Sequence, residues 1–120
     1  MTKILAVDDS ASMRQMVSFT LKSAGFDVTD ASDGDVALQI AKGESFDVVI
    51  TDVNMPNMDG ITLCKELRAL PSFKFTPILM LTTESSADKK QAGRAAGATG
   101  WIVKPFNPDQ LLATVNKVIG

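Results

Sequence analysis

The chain has 120 residues, 45% of them hydrophobic, which suffices for one globular domain with its own core and leaves little room for a second. Twelve lysines and arginines against fourteen aspartates and glutamates give a net charge of -2, so the basic footprint of a nucleic-acid binder is absent. There is no histidine at all, which excludes histidine-based triads and the familiar zinc sites and leaves chemistry to carboxylates, hydroxyls and lysines.

The first apolar run, ILAV (4–7), reads as a strand and meets Asp8-Asp9. It is too short for a signal peptide, and no stretch has the length of a transmembrane span. Cys64, the only cysteine, cannot form an internal disulfide, which fits a cytoplasmic protein. Next, Met13, Met16, Val17, Thr20, Leu21 and Ala24 fall on one stripe of a helix, with Gly25 as its stop. Met13 and Met16 are expected in the core, as is Met80 further on. FDVTD (26–30) alternates apolar and polar residues, as an edge strand with one wetter face does.

A second helix follows, with Val36, Ala37, Ile40 and Ala41 on its apolar stripe and Gly43 at its end. VVI (48–50) is the third strand and delivers Asp52; Ile61, Cys64 and Leu67 mark the third helix. ILML (78–81) is the fourth strand and ends in Thr82-Thr83. The fourth helix, about 86 to 96, has mostly alanine on any buried face and is expected to be the most weakly held. WIV (101–103) is the fifth strand, read as central like the other apolar runs, and ends in Lys104-Pro105. Leu111, Leu112, Val115, Val118 and Ile119 line the last helix, with Asn107 as N-cap, Pro108 at its first position and Gln110 at its third. Strands alternating with helices predict an α/β fold with a parallel sheet.

Ligands of open α/β sheets bind beyond the carboxyl ends of the strands. Parallel strands would put Asp8, Asp9, Asp52, Thr82 and Lys104 on that one rim. Two carboxylates about 4 Å apart repel by roughly 4 kcal/mol at an effective dielectric near 20, so such a cluster needs a proton, a lysine or a cation. All-oxygen donors favour Mg2+, and Mg2+ beside a free carboxylate suggests phosphoryl transfer with aspartate as nucleophile. Taken singly, Asp52 reads more readily as an Asx-turn or cap residue than as a nucleophile, Asp8-Asp9 as a helix cap, Thr82 as a local backbone partner and Lys104 as a solvated lysine. Their coincidence at four strand ends is what those readings explain poorly.

The motifs KILAVDDS, TDVNMPNMDG, PILMLTTE and GWIVKPF, spread over essentially the whole chain, resemble those of the receiver domains of two-component response regulators, and among them the single-domain chemotaxis members. The resemblance implies a doubly wound, flavodoxin-like fold with five helices and strand order 2-1-3-4-5. It implies Asp52 as phosphoacceptor, Thr82 as switch hydroxyl and Lys104 as the lysine on the phosphoryl group. Mg2+ would be held by Asp9, Asp52 and the Asn54 carbonyl, with Asp8 acting through water. Asn54 and Glu84 match positions that tune dephosphorylation, and a cis peptide is implied at Lys104-Pro105. Implied partners are a sensor histidine kinase as donor and a downstream target such as the flagellar motor switch, with a phosphatase as a further candidate and neither nucleic acid nor membrane. A monomer is expected, acting as a signalling protein that catalyses its own phosphorylation and dephosphorylation.

In the implied switch, Thr82 moves toward the phosphoryl group and Trp101 turns inward. Trp101 stands where tyrosine is usual in enteric chemotaxis members and has no hydroxyl; a permanently packed indole is the alternative. Lys89, Lys90 and Arg94 with Trp101 form the expected output face, suited to an acidic, partly apolar partner helix. Three rival readings are a receiver in a non-chemotaxis circuit, as phosphorelay intermediate or phosphate sink; more distantly, an aspartate-nucleophile phosphatase, which would need a D-x-D motif where Asp52-Val53-Asn54 stands; and a flavodoxin-like electron carrier, for which the Asp8-Asp9-Ser10 corner lacks the hydroxyl- and glycine-rich phosphate loop that FMN needs.

Overall fold

The computed structural model describes residues 2–82, 87–104 and 106–119, without the side chains of Thr82, Ala87, Asp88 and Lys89. Five strands, β1 (Lys3–Val7), β2 (Asp27–Ala31), β3 (Val48–Thr51), β4 (Ile78–Thr82) and β5 (Gly100–Val103), form one parallel sheet in the order β2-β1-β3-β4-β5. The helices between them are α1 (Ala11–Ser23), α2 (Gly34–Gly43), α3 (Gly60–Arg68), α4 (Ala87–Ala95) and α5 (Pro108–Ile119), with a short 3-10 turn at Pro71–Phe73. The α/β class and the strand order are as expected.

Both faces of the sheet are covered, which is why its inner strands are apolar throughout. Leu5, Val7, Val49, Ile78 and Met80 point into one core with α2 and α3, while Ile4, Ala6, Val48, Ile50 and Leu79 point into the other with α1 and α5. The alternate residues of one strand thus belong to different cores. β2 lies at one edge as its alternation predicts, but β5 lies at the other, although its apolar run resembles the central strands. The edge shows in Val103, which is 40% exposed.

Helix starts follow local chemistry. Ser10 caps α1 through Oγ, Asp33 caps α2 and Asp59 caps α3, each accepting an N–H three residues on, and Asn107 Oδ1 accepts the Asp109 N–H at 2.8 Å. Gly25 takes φ +93° just beyond α1, a left-handed conformation that suits glycine.

The helix stripes are narrower than expected. On α1, Val17 and Leu21 are buried and Met13 partly so, but Met16 is 55% exposed and Ala24 is also on the surface. The expectation of a core Met16 is therefore wrong: the row through Val17 and Leu21 faces the sheet, and the neighbouring row through Met16 and Thr20 turns toward the open side near α5. Val36 and Ile119 are likewise exposed, whereas Met80 is fully buried. α4 buries only Gly93 among its described side-chain positions, in keeping with a weakly held helix.

Candidate functional site

Register alone brings two carboxylates together. Val7 of β1 pairs with Thr51 of β3, so the next residues, Asp8 and Asp52, leave the sheet side by side where the strand order reverses. The Asp52 N–H still donates to the Val7 carbonyl at 2.9 Å, which ties the two ends to each other. Asp9 follows on the surface, and one carboxylate oxygen from each of Asp8, Asp9 and Asp52 lies within 4.8 Å of the others. The donors are all hard oxygens, a set suited to a divalent cation such as Mg2+.

Lys104, just beyond β5, reaches across the end of β4. Its Nζ donates to Asp8 Oδ2 at 2.8 Å and lies 3.4 Å from Asp52 Oδ2. The three side chains are nine-tenths or more buried, so their attractions and repulsions are weakly screened. Burial pushes the Asp52 carboxyl above the usual carboxylate range; Lys104 pulls it down and Asp8 pushes it up again.

Backbone bonds aim the carboxylates. Asp52 Oδ1 accepts the Val53 N–H at 2.7 Å and Asp8 Oδ1 the Ser10 N–H at 2.9 Å. Arg14 reaches back from α1 to the Asp8 carbonyl at 2.9 Å. Gly60 opens α3 directly against the Asp52 backbone, where a Cβ would collide with the Asp52 carbonyl oxygen, and its N–H donates to the Val53 carbonyl at 2.8 Å. This close approach explains the glycine that follows Asp59. Arg14 and Gly60 carry no signal of their own in a single sequence, since an arginine on a helix and a glycine at a helix start have many ordinary uses.

The structure thus gathers Asp8, Asp9, Asp52 and Lys104, and Asn54 lies exposed on the loop that leaves Asp52. The Thr82 backbone pairs with Val103 at the same rim. The roles expected of the Thr82 and Lys89 side chains, of Glu84 and of the Lys104-Pro105 peptide lie outside the described residues. Trp101 stands away from the carboxylates. It is partly buried against the α2 and α3 core, and a Cβ added at Gly93 of α4 would meet its ring at 2.9 Å. With the exposed Lys90 and Arg94 it lines a shallow groove between α4 and β5. Cys64 is a buried thiol whose Sγ faces the Ala96 carbonyl at 3.3 Å, and burial pushes its pKa up.

Known proteins resemble this chain along nearly its whole length. A family model described as the response regulator receiver domain matches residues 4–116. The chain is 43% identical over 117 residues to chemotaxis protein CheY-3 of Vibrio cholerae, covering 97% of this chain and 90% of that protein. The solved structure of Vibrio cholerae chemotaxis protein CheY4 superposes with a TM-score of 0.96 at 59% identity, over 98% of each chain. The receiver domain of sensor histidine kinase PA1611 from Pseudomonas aeruginosa, solved with a magnesium ion coordinated in its active site cleft, gives a TM-score of 0.93 at 28% identity, over 99% of this chain and 98% of that one. The acidic pocket at the reversal of strand order and the match along nearly the whole length have one explanation: this chain belongs to the response regulator receiver domains, signalling modules of two-component systems, and is CheY-like.

Proposed function

We propose that this chain is a phosphorylation-controlled switch in which Asp52 accepts a phosphoryl group from the phosphohistidine of a sensor kinase and the modified chain then binds a downstream target. The observation that carries this reading is the convergence of three carboxylates, with oxygens within 4.8 Å of one another, and one ammonium that touches two of them. The all-oxygen donor set fits Mg2+, with Asp9, Asp52 and the Asn54 carbonyl as direct ligands and Asp8 acting through water. Bound there, Mg2+ would neutralise phosphoryl oxygens during transfer.

The chain's own residues do the rest. Burial makes the Asp52 carboxylate more basic than an exposed one and so a better nucleophile, while Lys104 favours its ionised form. Oδ1 is occupied by the Val53 N–H, which leaves Oδ2, on the Lys104 side, to attack phosphorus. As the new P–O bond forms, the donor's P–N bond breaks and its electron pair stays on the imidazole nitrogen. Lys104, released from Asp8, then pairs with a phosphoryl oxygen. Thr82 is assigned the switch hydroxyl, and Asn54 and Glu84 the control of dephosphorylation. In this reading the chain is a signalling protein that promotes its own phosphorylation and hydrolysis.

The output face is α4, β5 and α5, where Lys90 and Arg94 offer positive charge beside the Trp101 edge to an acidic, partly apolar helix, and Lys89 is assigned to it from the sequence. Likeness to two chemotaxis proteins of Vibrio cholerae supports a role in chemotaxis, with the flagellar motor switch as target and the cytoplasm as the place of action.

Incubation with acetyl phosphate and Mg2+ should add one phosphoryl group by mass spectrometry, and Asp52→Asn should abolish it. Beryllofluoride should likewise change Trp101 fluorescence only with Mg2+ and only in the wild type. Labelling that survives Asp52→Asn would remove Asp52 as acceptor. Reversing Lys89 and Lys90 to glutamate should weaken binding to a motor-switch fragment without slowing phosphorylation; unchanged binding would move the output face elsewhere.

A further inference from the structure

The loop between Asp52 and α3 is held at its stems by Val53, Asp59 and Gly60, but its tip is held by another part of the chain. Asn57 Nδ2 donates to Asp33 Oδ2 at 2.9 Å, across 24 residues of sequence. The other oxygen of the same carboxylate, Oδ1, accepts the Val36 N–H at 3.0 Å and caps α2. Beside it, Gly34 lies flush against the loop: a Cβ there would come 2.6 Å from the Met58 carbonyl oxygen. One aspartate therefore begins a helix and restrains the tip of the loop that carries Asn54. Neither residue touches the carboxylate cluster, and nothing in the phosphoryl-transfer reading uses them.

We propose that Asp33 and Asn57 form a positioning clamp that presets the loop after Asp52, so that Asn54 is already placed for Mg2+ when the ion arrives. The proposal rests on the Mg2+-dependent reading above. A preset loop spends none of the binding free energy on its own ordering, so loss of the clamp weakens Mg2+ while leaving the carboxylates in place. Both hydrogen bonds favour the ionised carboxylate, and they hold the Asp33 pKa below its ordinary value, the Val36 N–H most strongly and Asn57 next. The contact between Gly34 and Met58 brings the two loops close enough for a side chain as short as asparagine to bridge them.

The test is Mg2+ titration calorimetry on the wild type, Asn57→Ala, and the exchanged pair Asp33→Asn with Asn57→Asp. Asn57→Ala keeps the α2 cap and loses only the bridge. The exchange keeps both, because asparagine caps helices as well as aspartate does and its amide can donate to the new carboxylate. We expect Asn57→Ala to weaken the Mg2+ Kd by about tenfold, at the low end for groups that orient metal ligands, and the exchange to restore it to within about twofold. Melting in chelator should differ little among the three. An unchanged Kd in Asn57→Ala, or an exchange that fails to restore it, overturns the clamp while the phosphoryl-transfer reading stands. A wild type that binds no Mg2+ overturns both.

Discussion

Asp52→Asn should make the metal-free protein more stable at neutral pH, although it removes half of an ion pair. At an effective dielectric near 20, the 3.4 Å approach of Lys104 Nζ to Asp52 Oδ2 is an attraction of about 5 kcal/mol. Against it stands repulsion from Asp8, no more than 4.8 Å away and so at least about 3.5 kcal/mol, with a smaller share from the exposed Asp9. The pair energies nearly cancel, and the remaining cost is that of burying the Asp52 charge. That cost is the first cause of its raised pKa. Asparagine keeps an acceptor for the Val53 N–H and carries no charge.

We expect stabilisation on the order of 1 to 2 kcal/mol in chelator, or a rise in Tm of about 4 to 8 °C for a chain of this size. The sign with pH follows from linkage. A carboxyl whose folded pKa is raised binds its proton more tightly in the folded state, so its destabilising effect is present above that pKa and fades as pH falls through it. The advantage of Asp52→Asn should therefore be largest near neutrality and vanish on acidification. Saturating Mg2+ should shrink or reverse it, because the wild type gains binding free energy that the variant has partly lost. Melting curves in chelator and in Mg2+ over a pH series measure all of this. A variant less stable than wild type in chelator at neutral pH would mean that Lys104 more than compensates burial and repulsion, and the electrostatic account of the site would be wrong.

Lys104→Met leaves the buried Asp8 and Asp52 carboxylates without their ammonium and should cost about 3 to 5 kcal/mol in chelator. Mg2+ should raise its Tm more than that of the wild type, and an equal rise in both would show that Lys104 does not hold the cation's place. Gly60→Ala forces a methyl group into the Asp52 carbonyl; urea unfolding should show a loss of about 1 to 3 kcal/mol, and calorimetry a weaker Mg2+ Kd. A neutral result in both would mean that α3 can move away from Asp52 freely. Arg68 donates to the carbonyls of Gly97, Phe73 and Thr76 at 2.7, 2.8 and 2.6 Å, tying α3 to the turn after α4 and to the entry of β4. Arg68→Ala should cost about 2 to 4 kcal/mol in urea unfolding, and Arg68→Lys should recover only part, since one ammonium lacks the spread of the guanidinium.

The residues that leave the strand ends were legible before any coordinates because the sheet itself is written in apolar runs. Ile4 to Val7 and Val48 to Ile50 are buried on both faces, so each could only be an interior strand, and whatever followed it had to stand on one rim. The motifs around Asp8, Asp52 and Lys104 then carried the family and its strand order. Local chemistry was legible for the same reason that it is local: the Asn107 cap and the Gly25 stop involve residues within a turn of each other.

Only the tertiary structure decided the rest. Which carboxylate Lys104 meets more closely is settled by packing across 96 residues of sequence, and it is Asp8, at 2.8 Å, ahead of Asp52. The Asp33 bridge to Asn57 and the Arg68 bonds to the Gly97 carbonyl leave no periodic trace, because each joins residues far apart in sequence. Met16 shows the limit from the other side. Helical period names a stripe, but the width that is buried depends on how many neighbours a helix has, and beside α1 the groove toward Phe106 and Leu112 stays open. β5 limits the residue pattern in the same way: an apolar run marks burial against a helix and does not name an edge, which the family's strand order implied and the pairing of β5 with β4 fixes.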